Sequence, residues 1–245
     1  MPFLPSVIEL NYLVLMSATP GAIKVAVDAI VFGYSKTDGV SVLLIQRRYE
    51  PYKSSWALPG GFVLEHESLE EAVKRELKEE TGATVNYLEQ LYTFGEPERD
   101  PRQRIIAVAY FALVKSARYQ ELKATTDAEN AQWFPIGQLP RLAFDHKEIV
   151  RVAIERVRTK IRYQPIGFEL LDKKFPFSDL EKLYTVLLDR PIDRRNFAKK
   201  IMALGILDET NELAKTDGKG RPSKMYQFNR QRYQQLLKEG IHFEI

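Results

Sequence analysis

Glu67, Arg75, Glu76, Glu79 and Glu80 fall within fourteen residues of one another. On a helix, residues four apart share a face, so Glu76 and Glu80 align there. Glu79, three after Glu76, lies on the adjacent flank. Carboxylates converging in this way form a hard-oxygen cage suited to Mg²⁺ or Mn²⁺. A cation so held can bridge the oxygens of a diphosphate and activate water. Glu79 is placed to orient or deprotonate that water. Arg75 reaches Glu79 at i+4 and can hold its carboxylate. Glu67 falls near the helix start, where a negative charge is favoured by the helix dipole. Gly61 lets the chain turn before the helix, and Gly82 ends it as a C-cap. The 245 residues include no cysteine, so thiolate metal sites and disulfides are excluded and a reducing cytoplasm is expected.

The elements that must position these groups are legible around them. Ser68 with Glu71 forms a capping box that starts the acidic helix. Leu69, Ala72, Val73 and Leu77 make its apolar stripe. Lys24–Gly33 and Val40–Arg47 are β-branched runs separated by a turn; Tyr87–Phe94 and Ile105–Val114 read as further strands. Between the latter two lies a charged loop, Glu96–Arg102. Arg47 and Arg48 at a strand end, with Arg99 and Arg102 in the loop, are candidates to contact a ligand. Phe144–Arg162 reads as a long helix. The apolar N-terminal arm, residues 1–21, contains Glu9 and Asn11 and is too short to span a bilayer, so no membrane partner is expected.

A second region begins near Tyr163-Gln164-Pro165-Ile166-Gly167. Ser178 with Glu181 predicts a capping box for a helix burying Leu180, Leu183, Tyr184, Leu187 and Leu188. Asp193 caps a second helix running to about Leu204, and Gly205 stops it. Ile206–Leu207 and Lys224–Asn229 are strands around the basic turn Lys215–Ser223. Helix, turn, helix, strand, basic turn, strand is the plan of a winged helix-turn-helix. Charge follows the same division. Residues 1–161 hold 20 Lys+Arg and 21 Asp+Glu, whereas Arg190–Arg232 holds 11 against 5. Such asymmetry points to a polyanionic partner. Arg194, Arg195, Asn196, Lys199 and Lys200 are expected to face outward on the second helix, where Arg and Asn can read base edges and Lys can meet phosphates. Lys219, Arg221 and Lys224 would serve the wing. The expected divisions are therefore residues 1–161 for ligand binding and 162–245 for double-stranded DNA.

The run Gly61–Ala83, with the preceding Trp56-Ala57-Leu58-Pro59-Gly60, closely resembles the Nudix signature: Gly, five residues, Glu, seven residues, Arg-Glu-aliphatic, one residue, Glu-Glu, one residue, Gly-aliphatic. That resemblance implies an α/β/α sandwich around a mixed sheet, taking a nucleoside diphosphate linked to a further group. Gln132-Trp133-Phe134-Pro135 resembles a late strand of that fold. Gly167-Phe168-Glu169-Leu170-Leu171, Arg194-Arg195-Asn196-Phe197 and Gly220-Arg221-Pro222-Ser223-Lys224-Met225-Tyr226 are similar to the tail of Nudix-related transcriptional regulators of NAD metabolism. The resemblance implies a homodimeric repressor on a palindromic operator, released by ADP-ribose. Members often have an eroded box, and this one is intact. A Mg²⁺-dependent ADP-ribose pyrophosphatase with an accessory tail, and a regulator answering to a sugar-related metabolite, are therefore the competing expectations.

Overall fold

The computed structural model describes residues 22–85, 87–114, 128–214 and 222–245. The N-terminal arm and the wing residues Lys219 and Arg221 lie outside those ranges.

Alternating apolar runs build a seven-stranded mixed sheet. Its strands are β1 Lys24–Ser35, β2 Gly39–Arg47, β3 Trp56–Ala57, β4 Gly60–Phe62, β5 Tyr87–Phe94, β6 Ile105–Val114 and β7 Ala128–Pro135. The main order is β3-β2-β1-β6-β5, with β4 on β1 and β7 on β2. Only the β1–β6 pairing is parallel among those described. Helix α1, Leu69–Thr81, packs Ala72, Val73 and Leu77 on one sheet face against Val27, Val31 and Leu43. Helix α2, His146–Tyr163, packs Ile149, Ala153, Val157 and Ile161 on the other, against Ile30, Val42 and Phe111. This is the α/β/α arrangement expected.

Both ends of α1 are determined by side-chain chemistry. Ser68 and Glu71 complete the reciprocal capping box, and Gly82 takes the left-handed conformation at φ 71°. Long α2 starts two residues later than expected. Phe144 has φ 51°, outside the helical region, and Asp145 stands at the N-cap without a capping hydrogen bond. The Asp145 carboxylate is used elsewhere.

The remaining elements are β8 Lys174–Pro176, α3 Phe177–Leu188, α4 Arg194–Ala203, β9 Leu207–Leu213, β10 Lys224–Phe228 and α5 Arg230–Glu239. Strands β8, β10 and β9 form a three-stranded antiparallel sheet. The expected Ser178–Glu181 box does not form. Strand pairing carries the chain to Pro176, opposite Met225, and the helix starts at Phe177 with Pro176 as N-cap and no side-chain cap. Glu181 instead meets Arg194 at 3.1 Å. Asp193 caps α4 as expected, accepting from the Asn196 amide. Strand β9 extends well beyond Leu207, because pairing with β10 sustains the polar run Asp208–Glu212. Helix α5, capped by Asn229, was not expected.

Candidate functional site

Strand β4 and the start of the loop after it bring α1 against β1. Gly60 and Gly61 pair with Asp28 and Val27. An ideal Cβ on Gly61 would stand 2.2 Å from Glu76 Oε1, so only a glycine leaves the carboxylate its place. Glu80 is buried and accepts from the Gly60 amide at 2.8 Å. Glu76 and Glu80 thus share the floor of one cleft of about 350 Å³. Asp28, Arg47, Arg48, Phe62, Arg99, Arg102, Phe144 and His146 complete its walls.

Arg75 is the hub of the loop beneath. Its guanidinium makes a two-pronged contact with Glu67, at 2.9 and 2.6 Å. It also donates to Glu76 at 2.8 Å, to the Phe62 carbonyl at 3.1 Å and to Glu79 at 3.2 Å. The expected Arg75–Glu79 contact is present, but Glu67 is the principal partner. Arg75 and its neighbour Leu64 hold the Glu67 carboxyl down at about 2. Glu79 is half exposed on the flank.

The donor chemistry fits a hard divalent cation. Glu76 and Glu80 present carboxylate oxygens on one helix face at the cleft. Among the described residues no three Asp, Glu or His side chains are gathered closely enough to hold an ion alone. Magnesium commonly takes one or two carboxylates and completes its shell from water and ligand phosphates, so two carboxylates beside a diphosphate suffice.

The four arginine candidates divide. Arg99 lies in the loop after β5 yet is buried, its side chain 5% exposed. It binds Asp145 through two contacts, at 2.9 and 2.7 Å, and Asp28 at 3.1 Å. Arg99 therefore lines the cleft as an anchor, tying the loop to β1 and to the start of α2. Arg102 is clasped by Asp100 at 2.9 and 2.7 Å and stands over the Phe62 ring at 5.7 Å. Arg47 donates to the Pro51 carbonyl and lies 4.9 Å over Phe144. Arg48 is exposed at the rim.

Sequence reasoning missed Asp28, Asp100, Asp145 and His146. His146 Nδ1 accepts from the Leu58 amide at 2.9 Å, and its Nε2 lies 3.6 Å from Asp28. Burial lowers the imidazole to about 3, with Asp145 opposing, so it is neutral. Burial raises Asp28 to about 6, with Arg99 opposing. The available signal was a charge inside the apolar run Val25–Val31, since a buried charge needs a partner.

In the second half, Arg194, Arg195, Asn196 and Lys199 are exposed on α4, while Phe197 and Ile201 are buried. Lys200 departs from the expected outward set: it is half buried and donates to the Glu244 carbonyl. Lys224 opens β10 and pairs with Glu209 at 2.7 Å.

Fold and cleft together define a class: an α/β/α domain with an acidic cleft built on a Gly–Glu–Arg–Glu–Glu loop and helix, joined to a winged helix. Family comparison agrees. Residues 22–153 match the NUDIX domain, and residues 167–228 match the NrtR DNA-binding winged helix domain. The ADPR responsive transcriptional repressor of Acinetobacter baylyi is 35% identical over 211 residues, covering 84% of this chain and 82% of that protein. The structure of Shewanella oneidensis NrtR with a 27mer DNA superposes with a TM-score of 0.73 at 32% identity, covering 86% of this chain and 95% of that one. The NUDIX domain of that NrtR, complexed with ADP ribose, superposes at 0.51 and 38% identity, over 60% and 97%. The chain therefore belongs to the Nudix family, in the branch that carries the NrtR winged helix. Nudix hydrolases as a family use divalent metals.

Proposed function

We propose that this chain is a transcriptional regulator, a repressor of NAD-biosynthesis genes, whose Nudix cleft senses ADP-ribose and thereby releases DNA. One observation carries the reading: an acid-floored, arginine-walled cleft and an exposed basic helix occur in one chain. The relatives support it, one being ADPR responsive and another having been crystallised with DNA and with ADP ribose. On this reading residues 1–161 form the effector half and 162–245 the DNA-binding half. Arg194, Arg195, Asn196 and Lys199 contact the operator, with Lys224 and the turn residues Lys219 and Arg221 at the wing. Two copies read a palindrome, since winged-helix half-sites are usually paired about one helical turn apart. We place the protein in the cytoplasm; none of its described helices is long and apolar enough to cross a membrane.

In the cleft, Arg47, Arg48 and Arg102 face the ligand's phosphates, and Phe62 and Phe144 offer flat apolar faces. Glu76 and Glu80 would hold Mg²⁺ or Mn²⁺, with water and the ligand's phosphates completing the shell and Glu79 on the flank outside it. Such an ion would neutralise diphosphate charge and lower the pKa of bound water.

The second reading, an ADP-ribose pyrophosphatase, is favoured by the intact hub: Arg75 holds Glu67, Glu76 and Glu79 together. Glu79 would then orient or deprotonate the attacking water, with Arg75 positioning it.

The deciding experiment is a gel shift on the chain's own upstream DNA, with and without ADP-ribose and Mg²⁺. Retarded DNA that is freed by intact ADP-ribose is expected. Lys199→Ala should lessen the steepness of the log K against log salt plot by about one. DNA that never shifts would remove the regulator reading. Rapid release of AMP without any effect on DNA would favour the enzyme.

A further inference from the structure

Residues 241–245 connect three elements that belong to different halves of the molecule. Phe243 is 6% exposed and joins the main core, with Ile241 and Ile245 packed beside it. The Ile245 amide donates to the Arg162 carbonyl at 3.2 Å, in the last turn of α2. The carbonyl of Glu244 accepts from Lys200 on α4. The carbonyl of Ile245 accepts from Arg190, in the turn between α3 and α4, at 3.3 Å. A short segment held by a buried aromatic and three hydrogen bonds is thus strung between α2 and the basic helix.

The other end of α2 is built into the cleft. Asp145 at its N-cap grips Arg99, and His146 in its first turn accepts from Leu58. One 18-residue helix therefore has its start in the ligand site and its last turn on this segment. Arg158 adds a second link, donating to the Leu187 carbonyl at 3.3 Å and to Asp189 at 2.9 Å. A rigid element fastened at both ends is the physical means by which two sites can bias each other.

We propose that residues 241–245 are a coupling strap, joining α2 to the basic helix α4 so that ligand binding in the cleft changes DNA affinity. The proposal rests on the regulator reading above. It also explains why Lys200, alone among the cations of α4, is drawn inward. Coupling of this kind typically changes affinity by about 5- to 150-fold, and ligand and DNA affect each other equally.

The test uses the full chain, a chain lacking residues 241–245, and Ile245→Pro. The proline variant leaves Phe243 in place and removes the amide that meets Arg162, together with the packing of the Ile245 side chain. DNA affinity is read by fluorescence anisotropy on a duplex selected with the full chain, with and without ADP-ribose. Ligand affinity is read separately by calorimetry. In both variants ADP-ribose affinity without DNA and DNA affinity without ADP-ribose should match the full chain. The loss of DNA affinity caused by ADP-ribose should shrink by about fivefold or more. Variants that release DNA as the full chain does would overturn the strap. So would variants whose ligand affinity falls in step with release, since the segment would then merely support the fold. A full chain that holds DNA whatever the ADP-ribose concentration would overturn the regulator reading itself, and the strap with it.

Discussion

Asp28 and His146, 3.6 Å apart, carry pKa shifts of opposite direction, so the stabilities linked to them change with pH in opposite senses. Burial takes His146 from its ordinary 6.5 down to about 3. The stability linked to it is present above 6.5 and is lost as pH falls toward 3. Burial takes Asp28 from its ordinary 3.8 up to about 6. The stability linked to that group is present below 3.8 and is lost as pH rises through 6. Between pH 6 and 4 the two slopes oppose each other, each about 1.4 kcal/mol per pH unit, and nearly cancel. Asp28→Asn removes one of them. Its unfolding free energy should then fall by about 1.4 kcal/mol more per pH unit than the parent's as pH drops from 6 to 4. Urea unfolding of both proteins at three pH values measures this. Parallel pH slopes would show that the pair does not titrate as described.

Among the elements, the turn from β4 into α1 offers two adjacent glycines with different consequences. A Cβ on Gly60 would lie 2.1 Å from the Val27 carbonyl, which is backbone inside the sheet and cannot yield. A Cβ on Gly61 would meet the Glu76 carboxylate, the end of a flexible side chain that can shift although Arg75 holds it. Gly60→Ala should therefore lower thermal stability, whereas Gly61→Ala should keep the fold and displace Glu76. Misplaced metal ligands or their supports typically cost about 10- to 100-fold in affinity. Mg²⁺-dependent ADP-ribose binding by Gly61→Ala should fall by that order while its melting temperature stays near the parent's; unchanged binding would remove Glu76 from the site. The α1 segment was legible because its signals are local: a capping box, one apolar stripe and a terminal glycine. The cluster of Asp28, Arg99, Asp145 and His146 was not, because its members come from β1, a loop and α2 and meet only through tertiary packing. Strands β8 and β9 were missed or shortened for a similar reason. Their polar residues gain strand structure from β10 rather than from their own pattern.

For the whole molecule, charge and core divide the chain differently. Net charge splits near residue 161, acidic before and basic after. The main core does not split there. Val42 and Leu44 of β2, Ile149 and Val157 of α2, Leu180 and Leu183 of α3 and Phe197 of α4 belong to one cluster. Leu183 is fully buried within it. Two halves sharing one core should unfold together, since neither can expose its face of the cluster without cost to the other. Scanning calorimetry of the full chain should give one transition whose calorimetric and van't Hoff enthalpies agree. Leu183→Ala leaves a cavity in the shared cluster and should cost about 2–5 kcal/mol. The informative feature is where that cost falls. If the core is common, Leu183→Ala lowers the temperature at which the ADP-ribose cleft is lost together with that at which the winged helix is lost, and the single peak moves intact. Two resolved peaks, with only the later helices destabilised, would show instead that the halves are independent bodies, and that ligand information must cross between them by the strap and the Arg158 contacts alone.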